Sequence, residues 1–180
     1  YTIGAGNQKI DLNDYLPEDI KNSTYEAKIT NPSRKIVTEA NKENKTYSYN
    51  VSKDGQVGDQ AKIQFTVQSD NYEDIIFNVN IALSDKLTVT PKTRNEPVIE
   101  GSNELTYGQK LSALKLNTSE AKFIAEDGTE VTGTLKFSEP DKIPEAGTKT
   151  AQYTFTPDKA QYKTYTGTVA ISVQKATPKL

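Results

Sequence analysis

Residues 150–173 read TAQYTFTPDKAQYKTYTGTVAISV. Ala151, Tyr153 and Phe155 on one side of a Pro157-Asp158 turn, and Tyr165, Val169, Ile171 and Val173 on the other, alternate with Thr, Gln and Ser. A period of two sends successive side chains to opposite faces of a strand, one face into a core and one into water. The segment has no His, no Cys and no carboxylate pair, so its regularity serves structure before chemistry.

The same period recurs along most of the chain. Tyr25, Ala27 and Ile29 alternate with polar residues, as do Tyr47, Tyr49 and Val51, and Ile63, Phe65 and Val67. Ile75, Phe77, Val79, Ile81 and Leu83 follow, then Leu87 and Val89, then Val131, Gly133, Leu135 and Phe137. These runs are rich in the β-branched and aromatic residues that suit a pleated, half-buried surface. Asn31-Pro32, Asp54-Gly55, Asp127-Gly128 and Glu139-Pro140 punctuate them. Short strands with turns at this spacing predict an all-β chain of antiparallel sandwich type. Leu12 to Ile20 alone hints at a helical turn, which Pro17 limits.

An internal repeat sets the domain organisation. IQFTVQSDNYEDIIFNVNIAL, from Ile63, aligns without a gap on YTFTPDKAQYKTYTGTVAISV, from Tyr153. Phe65 matches Phe155, Tyr72 matches Tyr162, Val79 matches Val169 and Ile81 matches Ile171, all at an offset of 90 positions. The expected architecture is two tandem immunoglobulin-like antiparallel β-sandwich domains, 1–85 and 86–180, with 175–180 (KATPKL) as an exit linker. Domains of this size bury modest cores, and neither has a disulfide to help.

Composition removes several kinds of chemistry. Without His the commonest general base and metal ligand is missing, and without Cys there is no thiol nucleophile or zinc-thiolate site. A net charge of −2, with 22 basic and 24 acidic residues intermixed, argues against a nucleic-acid surface. No apolar run approaches membrane-spanning length, so no membrane insertion is expected of this segment. The chain opens on Tyr1 and contains no Met, and it reads as an excerpt of a longer protein. A secreted chain without Cys is more naturally bacterial than eukaryotic.

Several motifs carry a family resemblance. Tyr107-Gly108-Gln109 opens the second half, Gly133-Thr134 with Phe137 precedes a loop holding Pro140 and Pro144, and Phe155 to Pro157, Tyr162 and Gly167 to Val169 close it. This half resembles the bacterial Ig-like repeats of large cell-surface proteins, in which the aromatic after Gly-Thr is often Trp rather than the Phe137 found here. KIDLNDYLP, YSYNVSKDGQVGDQAKIQFTV and DNYEDIIFNVNIAL in the first half resemble a companion module often found beside them. The resemblance implies a secreted or wall-associated bacterial protein, of Gram-positive type, with the repeats as stalk or adhesive modules. It brings no catalytic or ligand-binding residue with it.

Each candidate site has a structural reading beside it. Tyr47, Tyr49, Tyr153 and Tyr165 could stack on sugars, but all lie in the apolar phase of a strand, where core packing is the better account. Tyr72 and Tyr162 precede the last strand of each copy, where a tyrosine hydroxyl can tie a loop to the sheet. Phe65, Phe155, Gly133 and Phe137 are expected to be structural. Acidic turns at Asp11, Asn13 and Asp14, at Asp54 and Asp59, and at Glu126, Asp127 and Glu130 lack the spacing of a calcium loop. The two Asp-Gly pairs are explained by hairpins that need positive φ. A Lys–Asn isopeptide crosslink cannot be paired from the sequence. Sequons at Asn22, Asn44, Asn50 and Asn117 are of no consequence in a bacterial protein.

The expected function is a non-catalytic spacer and interaction module of a bacterial cell-surface protein, adhesive in character. The alternatives are a carbohydrate- or host-protein-binding module and an accessory region of a larger secreted enzyme. No cofactor or metal is expected. The expected partners are neighbouring Ig-like repeats, with a glycan or host protein as any ligand, and the segment itself is expected to be a monomer.

Overall fold

Apolar side chains at every second position of a sheet need a second layer to cover them. The computed structural model describes residues 1–20 and 22–178, and in it each half of the chain supplies that layer for itself. The chain divides into two units, Tyr1–Lys86 and Leu87–Leu180. Their buried clusters share no residue. Positions 179 and 180 of the expected exit linker lie outside the described residues, and 175–178 belong to no strand.

The first unit contains β1 (Gly6–Asp11), β2 (Thr24–Thr30), β3 (Val37–Glu43), β4 (Thr46–Val51), β5 (Gln60–Ser69) and β6 (Tyr72–Ala82). They form two antiparallel sheets, in the orders β1-β4-β3 and β2-β5-β6. The central strands carry the strictest alternation because both of their neighbours are strands and only one face stays dry. Tyr47, Tyr49 and Val51 of β4 and Ile63, Phe65 and Val67 of β5 are all buried. The Tyr47 ring meets Phe65 edge-on at 5.3 Å, and Phe77 stacks on Phe65 at 5.1 Å. A two-residue loop, Asn44-Lys45, joins β3 to β4, with Asn44 in the left-handed region at φ 49° that Asn tolerates well.

The expected helical turn near Pro17 is two 3₁₀ turns, Leu12–Asp14 and Glu18–Ile20, which bury Leu12 and Ile20. The first residues close the unit along its last strand. Thr2 bridges Ser84 in parallel, Ser84 N–H donates to Tyr1 O (2.8 Å), and Ile3 N–H donates to Ser84 O (3.0 Å).

The second unit contains β7 (Val89–Pro91), β8 (Glu104–Thr106), β9 (Phe123–Ala125), β10 (Glu130–Val131), β11 (Gly133–Phe137), β12 (Thr150–Pro157), β13 (Tyr165–Ala170) and β14 (Ser172–Gln174). Antiparallel sheets run β10-β9-β7 and β11-β12-β13, while β14 pairs with β8 in parallel. At Ile171 the chain changes partner. Ile171 N–H donates to Lys149 O and Ser172 N–H to Asn103 O, both at 2.9 Å, so the final strand leaves β12 for β8. The core centres on Phe123 and Phe155, whose rings lie parallel at 3.8 Å.

The two closing hairpins are not superimposable in register. Phe65 faces Phe77, but Phe155 faces Tyr165 and not Gly167, the residue that an ungapped repeat assigns to it. A slip of two residues keeps every side chain on its own face, so the alternation survives it. Of the two Asp-Gly turns, one is as expected and one is not. Gly128 takes φ 85° in the turn between β9 and β10, as a hairpin requires. Gly55 is not in the positive-φ region, and it sits on a crossover between sheets, from β4 to β5. A Cβ there would lie 2.2 Å from Leu83 Cδ1, so close approach is what calls for glycine.

Burial of tyrosines has a consequence at high pH. Tyr153 is pushed up to about 12, first by burial and then by Tyr165. Tyr47 and Tyr49 are raised further by the same cause. A folded-state value above the unfolded one near 10 means that this stabilisation is complete below pH 10 and is lost as pH rises through the folded value. Unfolding by alkali is therefore expected above pH 10, with tyrosinate absorbance rising together with loss of near-ultraviolet circular dichroism. Free titration of every tyrosine near pH 10 with the fold intact would contradict the buried positions.

Candidate functional site

The residues singled out in the sequence go mainly to packing. Phe65 is fully buried, Phe155 is buried against Phe123, and Phe137 is buried at the end of β11. Gly133 lies beneath the Phe155 ring, where a Cβ would stand 2.7 Å from Cζ and 2.3 Å from the Thr156 carbonyl oxygen. Gly167 makes the same kind of room for Tyr153, whose hydroxyl would stand 2.4 Å from a Cβ there. Glycine in a strand commonly marks such a close approach.

The two matched tyrosines differ. Tyr72 is half exposed, and its hydroxyl donates to Asp19 Oδ2 (2.8 Å), joining the start of β6 to the Glu18–Ile20 turn. That bond to a carboxylate raises its pKa. Tyr162 is buried, and its neighbours hold Leu87 through the backbone, with Leu87 N–H donating to Gln161 O and Lys163 N–H to Leu87 O, both at 2.9 Å. Tyr47 and Tyr49 are fully buried, Tyr153 is buried and Tyr165 is half-buried.

The acidic turn residues are engaged locally. Asp11 Oδ1 accepts from Asn13 N–H (2.9 Å), and Asp59 Oδ2 accepts from Gln56 N–H (2.8 Å) while pairing with Arg34 Nε (3.2 Å). Asp127 Oδ1 accepts from Thr129 N–H (3.0 Å), which holds its carboxyl below the ordinary value. Among the described residues no three Asp, Glu, His or Cys side chains converge as metal ligands would. Asn117 is buried, and its Oδ1 accepts from Val98 N–H (2.8 Å), so this sequon is a structural tie.

A cleft of about 600 Å³ lies at one end of the first unit, where the start of β2 meets the β3–β4 and β5–β6 hairpins. Asn22, Ser23, Tyr25, Lys42, Lys45 and Asp70 are among its walls. Lys42 Nζ donates to the Tyr25 carbonyl and lies 4.3 Å from the centre of the Tyr25 ring, where the π-face favours a cation. The Tyr25 hydroxyl donates to Thr46 O (3.2 Å). Lys45 Nζ donates to both the Ser23 carbonyl and Ser23 Oγ, the latter at 2.9 Å, and burial lowers its pKa.

The Ser23–Lys45 pair escaped the sequence reading, because 22 positions separate residues that meet only where the chain before β2 lies against the turn between β3 and β4. A lysine that activates a serine needs a free amine lone pair aimed at the hydroxyl. Here Lys45 Nζ bonds the Ser23 carbonyl as well as Ser23 Oγ, and the two contacts fasten the segment before β2 to the β3–β4 hairpin. The walls thus offer hydrogen-bond donors, acceptors and positive charge, a set that suits a polar ligand.

No protein family and no curated protein matches the chain. Among solved structures it is similar to an endo-fucoidan hydrolase from glycoside hydrolase family 107, at 14% identity and a TM-score of 0.26. That match covers 84% of this chain and 24% of the hydrolase, so the chain spans about a quarter of that enzyme's length. It is also similar to domains 6–7 of the surface layer protein SbsC, at 12% identity and a TM-score of 0.25, over 81% of this chain and 79% of that one.

Proposed function

We propose that this chain is a non-catalytic spacer and interaction module of a bacterial cell-surface protein, akin to the Ig-like repeats its motifs resemble. The observation that carries the reading is the use made of those motifs. Phe137, Phe155 and Tyr162 fill the core of the second unit, and Gly133 and Gly167 clear space for Phe155 and Tyr153. The residues by which the chain resembles a family thus specify a sandwich, and recognition is left to loops. Neighbouring repeats before or after the chain, and an extracellular, wall-associated setting, belong to the same proposal.

Antibodies raised against the chain should label intact cells of the bacterium that makes it. Labelling only after lysis would overturn the setting. The non-catalytic reading is tested on the purified chain with nitrophenyl esters and a panel of polysaccharides. Turnover that disappears in Ser23→Ala would overturn it.

A second reading, a binding module for a glycan or a host protein, is favoured by the polar cleft between Ser23, Lys42 and Lys45. It requires that Lys42→Ala and Asp70→Ala weaken the captured glycan or protein without altering thermal stability by more than about 1 kcal/mol.

A further inference from the structure

β3 lies at the edge of its sheet, and a bulge decides which residue it turns inward. Val37 faces Val51 and Glu39 faces Tyr49 on β4, so strict alternation would next bring Asn41 to the inner face. The extra residue between Glu39 and Asn41 shifts the phase by one, and Lys42 faces the buried Tyr47 instead. Lys42 thereby reaches β2, an edge strand of the other sheet, where its Nζ donates to the Tyr25 carbonyl.

Lys45, in the turn after β3, makes the matching contact two positions earlier, on the Ser23 carbonyl. Carbonyls two positions apart in an extended segment point the same way and stand on the order of 7 Å apart. Two positive charges are therefore held side by side at the mouth of the cleft. An ammonium carries more N–H donors than these contacts use, so each keeps a donor for a ligand. Among the described residues neither Lys42 nor Lys45 is paired with a carboxylate. The walls also lack a platform for stacking a neutral sugar. Tyr25 supplies the one ring among them, its side chain is buried, and Lys42 stands over its face.

The geometry points to a glycan bearing an anionic group, a carboxylate, sulfate or phosphate, as the ligand of this cleft. Lys42 and Lys45 take the anion through charge-assisted hydrogen bonds, and the exposed Asp70 on the opposite wall accepts from a sugar hydroxyl. An acidic peptide would bring further carboxylates against Asp70, whereas a sugar offers it hydroxyls. A volume of about 600 Å³ lies within the range of small-ligand sites. The inference rests on the second reading above, that the cleft binds a ligand, and names that ligand's chemistry.

Isothermal titration of the 180-residue chain with trigalacturonate, sulfated maltotriose and phosphorylated maltotriose tests it, with plain maltotriose and a hexaglutamate peptide beside them. At least one acidic sugar should bind about tenfold or more tighter than maltotriose, and added salt should weaken it. Which of them binds identifies the anion. Lys42→Gln and Lys45→Gln keep a donor for the Tyr25 and Ser23 carbonyls but remove the charge. Each should weaken the acidic sugar about tenfold or more while the thermal midpoint holds. Maltotriose bound as tightly as the acidic sugars overturns the anionic assignment and leaves the binding reading standing. Acidic sugars that bind both Gln variants like the parent overturn the placement in this cleft. Binding of hexaglutamate alone overturns the glycan in favour of an acidic protein segment. No binding of any probe up to about 10 mM overturns the site itself, and Lys42 and Lys45 then only shield the free edge of β2.

Discussion

Replacing Phe65 by alanine is expected to remove about 3–5 kcal/mol from the first unit. The ring is fully buried and touches three others, with centroids 6.1 Å from Tyr25, 5.3 Å from Tyr47 and 5.1 Å from Phe77. It also lies on the central strand of its sheet, so the void left by truncation is enclosed by strands that cannot collapse without breaking a ladder. A domain of this size holds about 5–10 kcal/mol in all, and the variant would keep little of that. Since the two buried clusters share no residue, the loss should be confined to one half. Urea unfolding followed by NMR should show the signals of Tyr47 and Tyr49 collapsing early while those of Phe123 and Phe155 keep their midpoint. A loss below about 1 kcal/mol would mean that Phe65 is not the centre of its core.

Gly133→Ala is expected to cost the second unit about 2–3 kcal/mol, a large penalty for one methyl group in a strand, where glycine is normally the poorer residue. The new carbon would stand 2.3 Å from the Thr156 carbonyl oxygen and within 2.9 Å of two atoms of the Phe155 ring. Relief requires β11 to move off β12, which loosens the pairing of Thr134 with Thr156 and of Leu135 with Phe155. Because part of the clash is with backbone, adding Phe155→Leu should restore no more than about 1 kcal/mol. A Gly133→Ala chain as stable as the parent, measured by thermal unfolding at pH 7, would rule out this close approach.

The central strands were legible in the sequence because they are buried on one face and paired on both sides. β4, β5 and β12 all fall where alternation predicts them, and so does β6, an edge strand whose Ile75, Phe77, Val79 and Ile81 pack on the core. β1 and β3 were not, and their burial explains it. Among their residues only Ile10 in β1 and Val37 in β3 are buried, so an edge strand can satisfy its backbone with almost no apolar signal. β8 and β9 have three residues each, too short for any period to register. The Gly-Thr motifs were visible but mute, since nothing in a linear sequence states which ring will lie over a glycine. The cleft at Ser23, Lys42 and Lys45 was illegible for a related reason. Its walls come from the start of β2 and the ends of two hairpins, and polar residues at strand ends and in turns carry no periodic mark of what they will face.

The parallel bridge between Thr2 and Ser84 bears on how the first unit responds when it is pulled from its two ends. Force applied toward lower numbers at Thr2 and toward higher numbers at Ser84 drags two adjacent, parallel segments past each other lengthwise. Ser84 N–H to Tyr1 O and Ile3 N–H to Ser84 O are then strained together in shear rather than unzipped one after the other. Rupture under such a load is governed by the barrier to sliding, so a unit of ordinary thermodynamic stability can still be mechanically stiff.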